Sequence, residues 1–459
     1  MIRSLLSRAA PRSALLLLTV TLVSPVVYAA QGDIHEHTLA NGMKIVVQED
    51  HRAPTVASMV WYRAGSMDEK SGTTGVAHVL EHMMFKGTRN NPGDTFSKTI
   101  AAAGGRDNAF TNKDYTAYFQ QLHKSKLELA LGLEADRMQN LLLPAEEFAK
   151  EIRVVMEERR TRTDDQPRAL LYEQLMATAY TANPYKAPII GWMNDLENMT
   201  VDDARLWYET WYAPNNAMLV VVGDVTGPEV FAIAEEKFGP LKPRALPVRK
   251  PQVEPPQKGI RRVTVKAPGE LPYLMMAWHV PVIRDVAKDW EPYALSVLVG
   301  VLDGSDAARL DRVLVREERI AVSAGASYDG VNRGPGMFLL DAVPAPGKTV
   351  ADAEAALRRE VKRIVDEGVS EEELNRIKAQ VIAQQVYQRD SIFYQAMEMG
   401  SLHTSGLPYD SGDLQARKLR EITAEQVRDV ARRYLVDDTL TAAVLEPQPI
   451  ARPAAGAAQ

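Results

Sequence analysis

Gly75-Val-Ala-His78-Val-Leu-Glu81-His82-Met-Met-Phe-Lys-Gly-Thr88 is the stretch from which the rest of the chain is best understood. Gly75 to Phe85 has helical spacing. On a helix, positions i and i+4 share a face, so His78 and His82 can present two imidazoles to one metal ion. Glu81 is offset around the helix by one step from His82. It can reach a water held by the metal without being a ligand. Zinc lowers the pKa of such a water to near neutral, and a nearby carboxylate can take its proton. A third ligand is needed, and zinc favours histidine or a carboxylate there. The helical stretch Glu151-Ile-Arg-Val-Val-Met-Glu157-Glu158-Arg-Arg offers candidates. Glu151 and Glu158 are seven positions apart, so two turns bring them to the same face. Glu157 reads as an ordinary charged helix face.

Composition narrows the classes open to such a site. The chain has 459 residues, of which 46% are hydrophobic and 25% charged, as expected of a folded globular protein of two to three domains. A net charge of -6 exerts no global pull toward nucleic acid. There is no cysteine, which excludes disulfides, thiolate zinc sites, iron–sulfur clusters and cysteine nucleophiles. Arg3, Arg8 and Arg12 precede an apolar run from Ala14 to Val23, and Val27-Tyr28-Ala29 supplies small residues at a cleavage boundary. Residues 1–29 therefore read as a secretory signal, which implies export, with the periplasm as the expected compartment. After its removal no segment reads as a membrane span. No cysteine follows it to carry a lipid.

Ile34 to Val47 reads as two strands around a turn at Asn41-Gly42, and Val56 to Arg63 as a third. Asn108 to Leu122 reads as a strand pair with its turn at Asn112-Lys113-Asp114. Thr200 caps a helix running to Trp211, and Ala217 to Val225 is a near-continuous apolar strand of the kind found inside a sheet. The segment 240–258 holds six prolines and reads as a semi-rigid linker. It separates residues 30–239 from residues 259–446, and 447–459 reads as a flexible tail. The second half echoes the first. Thr423-Ala-Glu-Gln426 opens a helix that ends near Tyr434, followed by an apolar strand from Leu440, as Thr200-Val-Asp-Asp203 does before the strand from Met218.

The order His-x-x-Glu-His is that of the inverted zinc-peptidase motif. Together with Asn108-Ala-Phe-Thr111, Glu151 to Glu158, Asn183-Pro-Tyr185, Ile190-Gly191 and Tyr212-Ala-Pro-Asn-Asn216 leading to Val222-Gly-Asp224, it makes the chain resemble the pitrilysin/insulinase family of zinc peptidases, most closely its mitochondrial-processing-peptidase-like branch. The resemblance runs from about Ile34 to Leu445. It implies an α+β fold of two homologous domains, each a mixed sheet backed by helices, facing one another across a cavity. In the family the third ligand lies some 75 residues beyond the second histidine, and 75 residues separate His82 from Glu158 here. His78, His82 and Glu158 are thus implied to hold one zinc ion per chain, with Glu81 as general base and Glu151 as the supporting glutamate.

The glycines of Gly104-Gly105-Arg-Asp-Asn108-Ala-Phe-Thr111 suit a strand edge that another backbone can approach. The resemblance implies that substrate adds there as an extra strand, with Asn108, Ala109 and Phe110 as its contacts. Family members that complete the site alone carry an Arg and a Tyr seven residues apart in the second half. Arg316 matches the Arg, but Ser323 stands at the Tyr position. Tyr328 is five residues further and on a strand faces the other way. The expectation is an exported zinc endopeptidase acting on peptides or unfolded segments. Its expected partner is a homologous subunit without zinc, or a second copy of the chain, that supplies the missing half-site. The alternative is a catalytically silent scaffold or assembly subunit of the same family. Glu81→Gln separates the two.

Overall fold

The computed structural model describes residues 32–449, so the expected signal at 1–29 lies outside the described residues, as do residues 450–459 of the expected tail. Six strands form the first sheet: β1 (Ile34–Thr38), β2 (Lys44–Glu49), β3 (Thr55–Tyr62), β4 (Arg106–Thr111), β5 (Thr116–His123) and β6 (Ala217–Gly223). Their spatial order is β1-β2-β6-β3-β5-β4. β6 runs parallel to β2 and antiparallel to β3. Met218 to Val222 are at most 1% exposed. Each such aliphatic side chain contributes about 1.5–3 kcal/mol by leaving water, which explains why this all-apolar run takes the middle of the sheet.

The second sheet has β7 (Arg261–Pro268), β8 (Tyr273–Val280), β9 (Ala321–Tyr328), β10 (Gly336–Pro344) and β11 (Leu440–Gln448) in the order β7-β11-β8-β10-β9. β11 runs parallel to β7 and antiparallel to β8, as β6 does to β2 and β3. Each half is therefore the same α+β unit, apart from the extra strand β1. The helices leading into β6 and β11 begin alike. Thr200 and Thr423 each accept from the backbone N–H three residues on, while Asp203 and Gln426 reach back to the cap residue. β11 extends to Gln448, two residues into the expected tail.

Each half also covers the other half's sheet. Leu171 and Leu175 of the helix Pro167–Ala179 pack on Ala267, Met275, Ala277, Ala443 and Leu445 of the second sheet. Ala396 and Met399 of the helix Ile392–Thr404 pack on Val46, Met59, Trp61 and Val220 of the first. Gly400 lies so close to Trp61 that an added Cβ would stand 1.9 Å from the indole. Residues 242–258 hold no helix or strand but are pinned down. Glu254 accepts from the backbone N–H groups of Thr181, Ala182 and Asn183 at 2.6, 2.9 and 2.9 Å.

A buried ion network joins the halves. Arg333 donates to both oxygens of Asp68, at 2.8 and 3.0 Å, and to the carbonyl of Asp114 at 2.9 Å. Arg249 donates to Asp68 at 2.8 Å. Burial alone would raise the Asp68 carboxyl, but the two guanidinium groups hold it below the usual carboxylate range.

Candidate metal centre

The helix Val76–Met83 begins where two backbones touch. Gly75 has φ +88°, and a Cβ there would stand 2.5 Å from the carbonyl oxygen of Ile190. Only glycine fits this contact. The first N–H groups of the helix are satisfied by a distant side chain: Glu69 accepts from Gly75 N–H at 2.8 Å and from Ala77 N–H at 2.9 Å. Asp195 accepts from the Thr74 hydroxyl at 2.6 Å and fixes the turn before it. The helix that carries His78 and His82 is thus set in place at its N-terminus by acidic side chains; burial pushes the Glu69 carboxyl up to about 8, with the N–H contacts from Ala77 and Gly75 acting the other way.

The helix Ala145–Arg159 brings the glutamates. Arg159 is 5% exposed and donates to both oxygens of Glu173, at 2.7 and 3.0 Å, and to the carbonyl of Gly191 at 2.9 Å. It ties the end of this helix to the Pro167–Ala179 helix and to the loop above the cleft. Beyond it the chain continues as a π-helical turn, Arg160–Asp164.

The two helices bring His78, His82 and Glu158 together so that one ligand atom from each lies within 4.8 Å of the others. Glu158 Oε2 is 3.5 Å from His82 Nε2 and 3.9 Å from His78 Nε2. Ligands bound tetrahedrally at about 2.0–2.2 Å from a zinc ion stand about 3.4 Å apart, so the donor set and its spacing fit zinc. His82 Nδ1 lies 2.9 Å from Glu151 Oε1, which assigns its proton to Nδ1 and leaves the Nε2 lone pair free. Lys86 donates to the other Glu151 oxygen at 2.5 Å. Burial, then the neighbouring His82 and Arg162, push the His78 imidazole down to about 3, which keeps it in the neutral form a metal requires.

Glu81 is 9% exposed and is not one of the converging ligand atoms. It accepts from the Thr111 hydroxyl. Burial raises its carboxyl, partly offset by Thr111 and His82. Arg162 pairs with the outer oxygen of Glu158. These groups open onto a cleft of about 470 Å³ lined by His78, Glu81 and Glu158 and by Ala109, Phe110 and Thr111 of β4. β4 is the edge strand. Asn108 lies on it but is exposed and is not among the lining residues. Arg316 is not in this cleft either. Its guanidinium is engaged by Asp311 at 2.8 Å and Asp306 at 3.5 Å. Ser323 is exposed on β9, whereas the Tyr328 hydroxyl is turned inward and donates to the Pro281 carbonyl at 2.6 Å.

Sequence reasoning did not reach Glu69, Asp195 or Lys86. The signal for Asp195 and Glu69 is a bare carboxylate far from, or loosely before, the helix it caps. Arg162 follows Glu158 at helical spacing and reads from sequence as a solvated basic face or a tuner of substrate charge; the structure pairs it with Glu158.

Similarities to known proteins agree with this geometry. The profile of the insulinase family, peptidase family M16, matches residues 44–192, and that of the peptidase M16 inactive domain matches residues 198–381. The zinc protease PqqE of Helicobacter pylori is 31% identical over 438 residues, covering 91% of this chain and 94% of that protein. A zinc protease of Mycobacterium leprae is 27% identical, covering 89% and 91%. The crystal structure of a protease from Helicobacter pylori superposes with a TM-score of 0.85 at 29% identity, covering 91% of this chain and 100% of that one. The periplasmic protease PqqL of Escherichia coli shares the fold at 20% identity and a TM-score of 0.76, and this chain spans 48% of its length.

Proposed function

The chain belongs to the insulinase (M16) family of peptidases, and on that premise we propose that it is an exported zinc endopeptidase whose site is His78, His82, Glu158 and Glu81. The observation that carries the reading is the convergence of three ligand atoms within 4.8 Å beside a buried, separate carboxylate. His78, His82 and Glu158 would hold the zinc ion. When bound, zinc polarises a carbonyl and lowers the pKa of a water to near neutral. Glu151 orients His82 through Nδ1 and thereby sets its tautomer. Glu81, its proton affinity raised by burial, takes the proton of the attacking water and returns it to the leaving amine. Thr111 holds the Glu81 carboxylate by one oxygen and leaves the other free for that transfer.

Substrate joins the free edge of β4 as an added strand, its side chains alternating between the cleft and solvent. Asn108 reaches its main chain from the exposed side, and Ala109 and Phe110 form the wall. A compact folded protein has no segment free to do this, so peptides and unfolded segments are the substrates. Arg316 is the second half's contribution to substrate binding, made by exchanging its Asp311 contact. Ser323 is several ångströms shorter in reach than a tyrosine. A homologous subunit or a second copy therefore completes the oxyanion side. Export to the periplasm is supported by the pattern of residues 1–29. Among the described residues no helix is long and apolar enough to cross a membrane.

The test is cleavage of a quenched peptide pool by the zinc-loaded chain, alone and with homologous partners. Glu81→Gln is expected to lower the rate by a factor of about 10²–10⁴ while leaving bound zinc and thermal stability unchanged. Zinc binding with no cleavage under any pairing contradicts the enzyme and favours the scaffold.

A further inference from the structure

Of the cations that line the cleft, Lys113 is the one that stands over an aromatic ring without a carboxylate partner. Lys113 sits in the turn between β4 and β5 and lines the same cleft as Glu81 and Glu158. Phe110, Tyr172, Met176 and Tyr185 give that cleft apolar surface. The ammonium donates to the Tyr185 carbonyl at 3.2 Å and stands 4.8 Å from the centroid of the Tyr185 ring. Among the described residues no carboxylate lies within salt-bridge distance of it. Glu158 is paired with Arg162, and Glu173 with Arg159. Lys186 donates to the Thr181 carbonyl. Asp114, next in sequence, is committed to Tyr185 and to the backbone N–H of Arg333.

A half-buried ammonium held over an aromatic ring with only a carbonyl for a partner is poorly solvated. Burial pulls Lys113 down to about 8, with Asp114 acting the other way. Two of its three protons lack a strong acceptor. A carboxylate entering the cleft would supply one beside a half-buried ammonium, where such a contact is worth more than in bulk water.

We propose that Lys113 makes this part of the cleft a carboxylate-binding subsite, so that preferred peptides carry an acidic group close to the bond that is cut. This rests on the protease reading above and names the substrate class of that site. The carboxylate has two possible sources, the side chain of an internal Asp or Glu and the free C-terminus of a short peptide.

Binding tests the subsite without requiring turnover. Fluorescein-labelled extended decapeptides of Ala and Ser, with one Glu or one Gln walked through the sequence, are titrated by anisotropy against the zinc-loaded Glu81→Gln chain. A matched set carries a C-terminal amide in place of the acid. At one position Glu is expected to bind about tenfold tighter than Gln, the size of a charged hydrogen bond. Lys113→Met should bring that ratio to one while leaving the Gln peptide within about threefold. Lys113→Arg should preserve it. A ratio tied to the free C-terminus and insensitive to internal Glu assigns the carboxylate to the chain end. Equal binding of every Glu and Gln peptide, with acid and amide also equal, overturns the proposal, as does a ratio that survives Lys113→Met. If Lys113 only braced the Tyr185 loop, the variant would weaken all peptides alike. Cleavage of the same peptides by the chain with Glu81 intact tests the protease reading separately, and either result can fail without the other.

Discussion

The two halves share strand order and strand sense, yet among the described residues only the first brings histidines and a carboxylate together closely enough to hold a metal ion. In each, the helices between two corresponding strands, β3 to β4 and β8 to β9, back the sheet. In the first half that segment includes Val76–Met83, with two histidines and a glutamate. In the second half it includes Glu291–Asp303, where Ala294, Leu295, Val297, Leu298, Val301 and Leu302 are all buried and apolar. The first helix has acidic side chains on its N-terminal turn, a neutral His78 and a hydroxyl on Glu81 to keep its polar groups in place. The second needs none of these. A stable scaffold is thus separable from the candidate site: the duplicated sheet persists in the half that has no counterpart of the His78, His82 and Glu158 group among the described residues.

The second half keeps a structural task, which is to hold the first. Arg333→Ala removes its deepest grip and leaves Asp68 and Asp114 buried with one cation fewer. A loss of about 3 kcal/mol is expected, read as a lowered Tm, because breaking a buried pair strands a charge. An unchanged Tm would mean the halves do not depend on each other through this network. Glu151→Gln probes the opposite side of the comparison. Zinc affinity should fall about 10- to 100-fold with little change in Tm, since Glu151 orients a ligand and bears no part of the interface. Competition with a chelating dye measures it.

Gly400→Ala forces a methyl group into Trp61 where the second half's helix lies on the first half's sheet. It should destabilise by about 1–3 kcal/mol, and Trp61→Leu on the same chain should recover part of that by making room. The smallest effect is a pH slope from the same helix. His403 is pushed down to about 4 by burial and by Lys44 and Arg63, with Glu36 opposing. A histidine whose folded pKa lies below its unfolded value of about 6.5 takes up its proton more readily when unfolded. Stability is therefore full above about pH 6.5 and declines as the pH falls toward 4. His403→Gln should flatten that decline in a Tm-against-pH series and leave neutral pH nearly untouched.

Much of this was legible in the sequence because it depends on local pattern. The apolar run Met218–Val222 could only be an inner strand. Asn112-Lys113-Asp114 could only turn. Both Thr caps form as their spacing requires. His78, His82 and Glu158 were legible through helical periodicity and the family resemblance. The helix exchange was not. The apolar spacing of Leu171 and Leu175, or of Ala396 and Met399, says that a face is buried and not which sheet buries it. Glu69 and Asp195 are hidden for a similar reason, because a capping carboxylate obeys no fixed spacing from the helix it caps. Lys113 reads as a solvated turn residue until the loop at Tyr185 is placed over it.

Native mass spectrometry of the folded chain with zinc tests the division of labour most directly. One zinc per chain is predicted, lost in His78→Ala, His82→Ala and Glu158→Ala, and retained in Glu81→Gln. Retention of zinc in all three alanine variants, or no zinc in the unaltered chain, would contradict a metal centre built by the first half alone.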